Sequence, residues 1–452
     1  MEKPNVDMTR RLARFVADTT AEDIPPQVFE HAKVAFMDWI GVLMAGKDEP
    51  LVKKLINYAD FLGGHAQATV LGHGVKKNVC QAALINGAAS HALDYDDTLR
   101  TFIGHPSVTL FPALLAYSEW RGLGGRDLLT AYLVGLQVGA SIGASAGLEH
   151  YSAGWHATST IGRLASAAGC AKLMGLGEEQ VVHALGIAAT QACGLKRVFG
   201  SMCKPFHAGA ASQGGLAAVL LASDGFTSTD NILEGPFGFL QVFGGKVNDD
   251  FLERLGKKWE VEAIIQKYHA SCHFTHSPIE GVLKAVAQKD DMAPEEIREV
   301  RVRVSELAAR TAGIEDPRTE LEGKFSMRYC VANALLGGPT GLRGFTLERV
   351  NDPQRKEFIE KVKVIGDPQI PDGSWLANVE IELESGRILA ASADVSQEVP
   401  ELAVKRGKIT SKFHDLCDPV LGEARALRLE EMILKLEDLL DMRDFIGVAE
   451  DG

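Results

Sequence analysis

Through the first half of the chain, apolar residues recur every three or four positions, the spacing of helices that bury one face. Residues 7–45 predict two helices. In "TTAEDIPPQVFEHAKVAFMDWIGVLMAG" (19–46), Thr20 or Asp23 can cap, Pro25 and Pro26 suit a first turn, and Gly46 is a stop. Further helices are predicted over 50–62, 78–93, 107–121, 125–147, 156–174, 178–193 and 207–223, with "ATVLGHG" (68–74) as an extended link. This run is dense in Gly, Ala and Ser, so its helices can pack with their backbones close together.

The period changes near residue 260. "REVRVRVSELA" (298–308), "KVKVIGD" (361–367) and "LANVEIELESGRILAASADV" (376–395) alternate apolar and polar residues, the pattern of half-buried strands. "ESGR" (384–387) suits a hairpin turn, and "SMRYCVANALLGG" (326–338) reads as a helix. Helical spacing returns over 419–447. The pattern therefore predicts a mainly α fold. A large all-helical domain is formed by both termini (1–265 and 405–452), and a smaller α+β lid domain is inserted at 266–404.

Composition narrows the class. The 452 residues are 46% hydrophobic and 24% charged, as in soluble globular proteins. A formal charge of −13 argues against a nucleic-acid binder but leaves room for a local cationic pocket and an anionic substrate. Seven scattered cysteines without a CxxC pair fit free thiols in a reducing, cytoplasmic setting. "MEKPNVDMTRRLARFV" starts an amphipathic helix and lacks a signal-peptide core; Glu2 and Asp7 argue against a transit peptide. Residues 128–148 run 21 positions without a charge, long enough to span a bilayer. About half are Gly, Ala, Ser, Thr or Gln, so a buried core helix is expected and no membrane partner.

Several runs carry candidate chemistry. In "SHALDYDDTLRTFIGHP" (90–106), a helix reaching Leu99–Arg100 would pair Asp94 with Thr98 at i,i+4 and place His91 and Asp97 beside them. Asp96 would point elsewhere, and His105 would follow in a loop. The plain alternative is an acidic helix end. "GWHATSTIG" (154–162) puts His156 at a helix start, where backbone N–H groups can bind a carboxylate. "FGSMCKPFHAGAASQGG" (199–215) puts Lys204 and His207 at a glycine-rich helix start, a cationic pocket without the P-loop motif. "QKYHASCHFTHSPIEG" (266–281) holds His269, Cys272, His273 and His276. A zinc reading fails because the i,i+4 pairs diverge and Pro278 makes 267–276 a loop; His276, leading the next helix, is the better candidate. "GKFSMRYCVANAL" (323–335) offers Lys324, Ser326 and Tyr329, with simple capping as the alternative.

Taken in order, "NGAASHALDYDDT…GHPS", "GWHATSTIG", "MCKPFHAGAA", "KYHASCHFTH" and "GKFSMRYCVANAL" resemble the MmgE/PrpD family, which includes 2-methylcitrate dehydratase, cis-aconitate decarboxylase and iminodisuccinate epimerase. The resemblance implies a homodimer with an active site drawn from both domains and no metal or organic cofactor. It implies Asp94, Thr98, His105, His156, Lys204, His276 and Tyr329 as site residues, with His207 in the same Lys-Pro-x-His motif. Asp94, His105 or His276 would move a proton alpha to a carboxylate of a small di- or tricarboxylate. Lys204 and His156 would hold carboxylates, Thr98 and His207 would assist binding, and Tyr329 would be an acid from the lid. Two runs depart from the family pattern: "KYHASCH", with His269 for the usual Pro and Ser271 for the first Cys, and "VKRGKITS" (404–411). A dehydratase-type lyase is the first expectation. An amino-dicarboxylate epimerase and a cis-aconitate-type decarboxylase are the alternatives, and a non-catalytic anion-binding protein is the third class. Asp97 has no assigned role.

Overall fold

The computed structural model describes residues 7–289, 292–397 and 399–450. Glu2, invoked for the N-terminal stretch, lies outside the described residues. Asp7 accepts from the Arg10 N–H and caps a helix over Met8–Asp18. Pro26 opens the next, Pro26–Gly46. Asn78 and Gln81 form a capping box at the start of Val79–His91. Helices Pro50–Leu62, Ser107–Arg121, Gly125–Ser152, Ala157–Leu173, Glu178–Ala189 and Cys203–Ser223 complete the N-terminal series. The predicted link at 68–74 is a small antiparallel hairpin of β1 (Ala68–Val70) and β2 (Val75–Lys77).

The chain divides into two compact units, residues 1–266 with 402–452, and residues 267–401. In the helical unit the last helix, Met442–Glu450, delivers Phe445 to the core formed by the N-terminal helices. Its ring lies 5.4 Å from Phe36, which meets Phe111 edge-on at 5.1 Å, and Phe111 stacks on Tyr132 at 3.9 Å. The long apolar segment is one helix, Gly125–Ser152, bent where Gly147 takes φ 69°. Of its most apolar window, 94% is buried inside the protein, so other helices rather than lipid cover it.

Two helices cross where glycine faces glycine. A Cβ on Gly87 would lie 2.7 Å from the Gly209 Cα, and one on Gly209 would lie 2.1 Å from the Leu84 carbonyl oxygen. Only hydrogen side chains allow this approach. It brings His91, one turn beyond Gly87, against Lys204 at the start of the Cys203–Ser223 helix. That helix begins before the predicted residue 207, so Lys204 and His207 both lie in its opening turns.

The alternating stretches form one sheet in the second unit: β3 (Ile297–Val304), β4 (Val362–Gly366), β5 (Ala377–Leu383) and β6 (Ile388–Ala393), in the order β4-β3-β5-β6. β3 is parallel to β4 and antiparallel to β5. Val379 and Ile381 point inward, while Glu380 and Glu382 on the outer face meet Arg301 of β3 at 3.0 Å each. The first strand is shorter than its alternation predicts, because Ser305 accepts from the Ala308 N–H and starts a helix at Glu306–Thr311. Helix Met327–Leu335 lies within the predicted 326–338.

The C-terminal expectation needs a larger correction. A helix runs over Leu402–Leu421, where none was expected before 419, and is followed by Glu423–Leu434. Its buried face carries Lys405 and Lys412, so its polarity pattern hides it. Lys412 Nζ pairs with Asp38 Oδ1 at 2.6 Å and donates to the Tyr95 carbonyl at 2.7 Å. Lys405 Nζ donates to the Ile264 carbonyl at 3.0 Å. Removing one partner of such a pair leaves a charge without compensation in a dry interior. Lys412→Ala should therefore destabilise the protein by about 3–5 kcal/mol in a urea titration; a change within error would mean that water already reaches the pair.

Candidate active site

Helix Val79–His91 ends at His91, not at Leu99–Arg100. The chain then turns through Asp94, whose φ of 51° lies in the left-handed region that Asp tolerates better than most residues. Thr98 exchanges two backbone hydrogen bonds with Ile265, each 2.9 Å. Leu99 N–H donates to the Gly104 carbonyl, closing a small loop. The His105 N–H then donates to Thr158 Oγ1 at 3.2 Å. With no helix here, the i,i+4 pairing of Asp94 with Thr98 does not exist, and the expected positions of Asp96 and Asp97 are exchanged.

Asp96 is the centre. His91 Nδ1 lies 2.8 Å from its Oδ1, and His105 Nδ1 lies 2.9 Å from its Oδ2. Burial alone would raise the Asp96 carboxyl, but the two imidazoles outweigh it and hold it well below the ordinary carboxylate range. The ionised Asp96 accepts a hydrogen bond from His91 Nδ1–H, which leaves that ring's lone pair on Nε2, while its other oxygen faces the His105 ring as a close electrostatic contact. His91 Nε2 uses that lone pair to accept from Lys204 Nζ at 3.0 Å. Burial, only partly opposed by Asp96, pushes the His91 imidazole down to about 4. The second Lys204 bond goes to Asp94 Oδ1 at 2.8 Å. His105 Nε2 stands 3.8 Å from the same oxygen, beyond hydrogen-bond length.

His156 is the N-cap residue of helix Ala157–Leu173, and its own N–H donates to the Gly194 carbonyl at 3.0 Å. Its Nδ1 faces His207 Nδ1 at 3.0 Å. Burial lowers both imidazoles, with Lys204 adding to it. Two neutral rings meeting through Nδ1 atoms must be opposite tautomers, one donating and one accepting. The helical unit thus gathers Asp94, His105, His156, Lys204 and His207 around one ammonium. Thr98 is anchored beside them through its backbone.

Asp97, which the helical reading placed in the cluster, turns the other way. Its Oδ2 accepts from Ser107 Oγ at 2.5 Å, and Ser107 Oγ lies 2.9 Å from the Tyr132 hydroxyl. Burial, reinforced by Asp38, raises its carboxyl to about 8, so it is a neutral acid at pH 7 that braces the loop from beneath. The residue that sequence reasoning missed is therefore Asp96, and helical spacing was the wrong ruler for it. The usable signal was a carboxylate lying between two histidines in a stretch rich in turn formers.

The second unit holds the other expected residues. His276 does begin a helix, His276–Val286, after a loop and a single 3₁₀ turn at His273–Thr275. Its Nε2–H donates to the Ser271 carbonyl at 3.3 Å, and burial holds the ring well below its usual value. Its ring centroid lies 4.5 Å from that of His273 and 4.9 Å from that of His269. His269 Nε2 pairs with Glu280 Oε1 at 3.2 Å. Tyr329 is a correction. It is fully buried, its hydroxyl donates to the Gly344 carbonyl, and burial raises it to about 12. In this geometry Tyr329 clamps the 342–345 turn rather than presenting an acid. Among the described residues, the only His/Cys/Asp/Glu group compact enough for a metal is His91, Asp94, Asp96 and His105; the His269/Cys272/His273/His276 run is not one.

The helical unit holds Asp96 between two histidines with an embedded lysine, and the α+β unit, described by itself, carries a buried histidine at a helix start. The chain belongs to the MmgE/PrpD family: residues 10–252 match its N-terminal domain and 269–438 its C-terminal domain. The family is one of enzymes. The chain is 28% identical over 463 residues to cis-aconitate decarboxylase from Aspergillus terreus, covering 96% of this chain and 94% of that protein. The mouse enzyme of that name is 25% identical (96% and 91% covered), and the human one 24% (96% and 92%).

Three outcomes follow from this geometry. Asp96→Asn removes the negative charge that both imidazoles face, so it should lower kcat at least ~100-fold with the fold retained by circular dichroism. Asp97→Asn mimics the neutral acid and should change kcat by no more than a few-fold; equal losses would refute the assignment. His91 stays neutral in the fold to about pH 4, while the unfolded chain protonates near 6.5. The unfolded state therefore binds the proton first. The stability His91 contributes is complete above pH 6.5 and is lost as pH falls towards 4. His91→Gln should flatten the Tm profile over that window.

Proposed function

We propose that the protein is an acid–base lyase acting on a small di- or tricarboxylate through proton abstraction alpha to a carboxylate. The observation that carries this reading is the cluster in which Asp96 faces both His91 and His105 while Lys204 binds His91 and Asp94. His105 is the base: its Nε2 takes the Cα proton, and the C–H electron pair delocalises into the adjacent carboxylate. Charge then grows on the carboxylate oxygens. An ammonium has three donors, and two of those on Lys204 are fixed by His91 and Asp94, so the third can meet that charge. The His156–His207 pair offers a ring N–H to a second carboxylate, and uncharged rings avoid the desolvation of further cations.

The carbanion-like intermediate has more than one exit. Expulsion of a β-hydroxide, with a proton delivered to the leaving oxygen, is dehydration and is the first reading. Decarboxylation of a cis-aconitate-type tricarboxylate is the second, supported by the names of the relatives; there the C–CO₂ bond breaks in place of the C–H bond, CO₂ leaves, and a proton delivered to carbon takes up the electron pair. Reprotonation on the opposite face would make an epimerase, the third.

Proton NMR in D₂O separates these outcomes. The full-length protein is incubated in turn with a 2-methylcitrate-type hydroxy acid, cis-aconitate and an amino-dicarboxylate. Alkene signals with no gas release mark a dehydratase, bicarbonate with a decarboxylated product marks a decarboxylase, and Cα deuteration alone marks an epimerase. His105→Gln should lose ~10²–10⁴ in kcat on whichever substrate turns over. Undiminished turnover in that variant would remove His105 as the base.

A further inference from the structure

We propose that His91, His105 and Asp94 form a latent divalent-metal site, of zinc or cobalt type, which Lys204 keeps closed in the native protein. It lies beyond the lyase reading and is tested by metal binding alone.

Lys204 Nζ sits where a metal ion would. It is 3.0 Å from His91 Nε2 and 2.8 Å from Asp94 Oδ1, and that oxygen is 3.8 Å from His105 Nε2. Ligand atoms on a tetrahedral zinc lie roughly 3.3 Å apart, so small side-chain shifts would complete the set. One ligand atom each from His91, Asp94, Asp96 and His105 already lies within 4.8 Å of the others.

The support behind the ligands is that of a metal site. Metal-binding histidines commonly donate the remote ring N–H to a carboxylate, which fixes the tautomer and aims the other nitrogen at the ion. Asp96 does this for His91 at 2.8 Å, and its other oxygen lies 2.9 Å from His105 Nδ1. His91 therefore enters unprotonated at Nε2, as ligation requires. Two neutral imidazoles and one carboxylate leave a fourth position open, and this donor set suits zinc or cobalt better than magnesium, which prefers oxygen.

The native protein excludes the ion by charge. A divalent cation would have to displace the ammonium from His91 and Asp94 or sit beside it, and like charges a few ångströms apart repel strongly where both are largely removed from water. The site's cation is thus built into the chain, and deleting it should exchange a fixed single charge for a bound double one.

Full-length Lys204→Ala and Lys204→Ser, stripped of metal, would be titrated with Co²⁺ and followed by visible d–d absorption. The expected result is one equivalent bound at least ~100-fold more tightly than by the wild type, and displaced by Zn²⁺. Adding Asp94→Asn should abolish the signal, and adding Asp96→Asn should weaken binding ~10–100-fold. His273→Ala, in the other unit, should leave it unchanged. Wild-type protein gives a reading that needs no folded variant: with one equivalent of Zn²⁺ the imidazole resonances of His91 and His105 should stay unshifted, because Lys204 holds the site. Cobalt uptake by the folded variants no greater than wild type, binding that survives Asp94→Asn but not His273→Ala, or a paired shift of those resonances in the wild type would each overturn the proposal. None of these results bears on turnover, so the lyase reading stands or falls separately.

Discussion

An ionised carboxylate held out of water between two imidazoles is the interaction on which the rest of the site depends. Asp96 is almost completely buried, and a lone buried carboxylate would take up a proton rather than stay charged. The two imidazoles reverse that outcome. In return the carboxylate dictates which nitrogen of His91 is protonated. His91 can accept from Lys204 only because its proton is on the far nitrogen.

This arrangement demands accuracy from the surrounding helices. The Gly87–Gly209 crossing sets how near Lys204 comes to His91, and a single methyl group at either position would collide with backbone. The loop that carries Asp94, Asp96 and His105 has little secondary structure of its own. It is held by Ile265 through Thr98, by Thr158 at His105, by Ser107 under Asp97 and by Lys412 at the Tyr95 carbonyl. Lys412 arrives from the C-terminal part of the chain, so the distant end of the sequence braces the loop. The restraints come from buried polar groups whose partners are fixed, which is how a loop acquires the rigidity of a helix.

Burial also decides what kind of electrostatics the site has. His91 and His156 are pushed towards the neutral form by desolvation, leaving Lys204 as the cation among them. One ammonium among neutral rings and two carboxylates is an environment for stabilising charge that appears during a reaction. The same burial makes Asp97 a neutral acid only one residue from an ionised one. Adjacent aspartates with opposite protonation states show how completely local partners override the intrinsic pKa.

The sequence by itself determined the elements whose code is local. Apolar spacing marked most helices of the first unit, alternation marked the strands of the second, and capping residues such as Asp7 and Asn78 set helix starts from a few neighbouring side chains. The five motifs in order carried the family and pointed to Asp94, His105, His156 and Lys204. The tertiary structure decided what depended on distant partners. The Leu402–Leu421 helix was hidden because Lys405 and Lys412 read as surface residues until Asp38 and the Ile264 carbonyl supply their burial. Tyr329 read as an acid until the Gly344 carbonyl claimed its hydroxyl. The exchange between Asp96 and Asp97 has the same origin: neighbours one bond apart in the chain face opposite partners, and periodicity cannot report a direction once the helix has ended at His91.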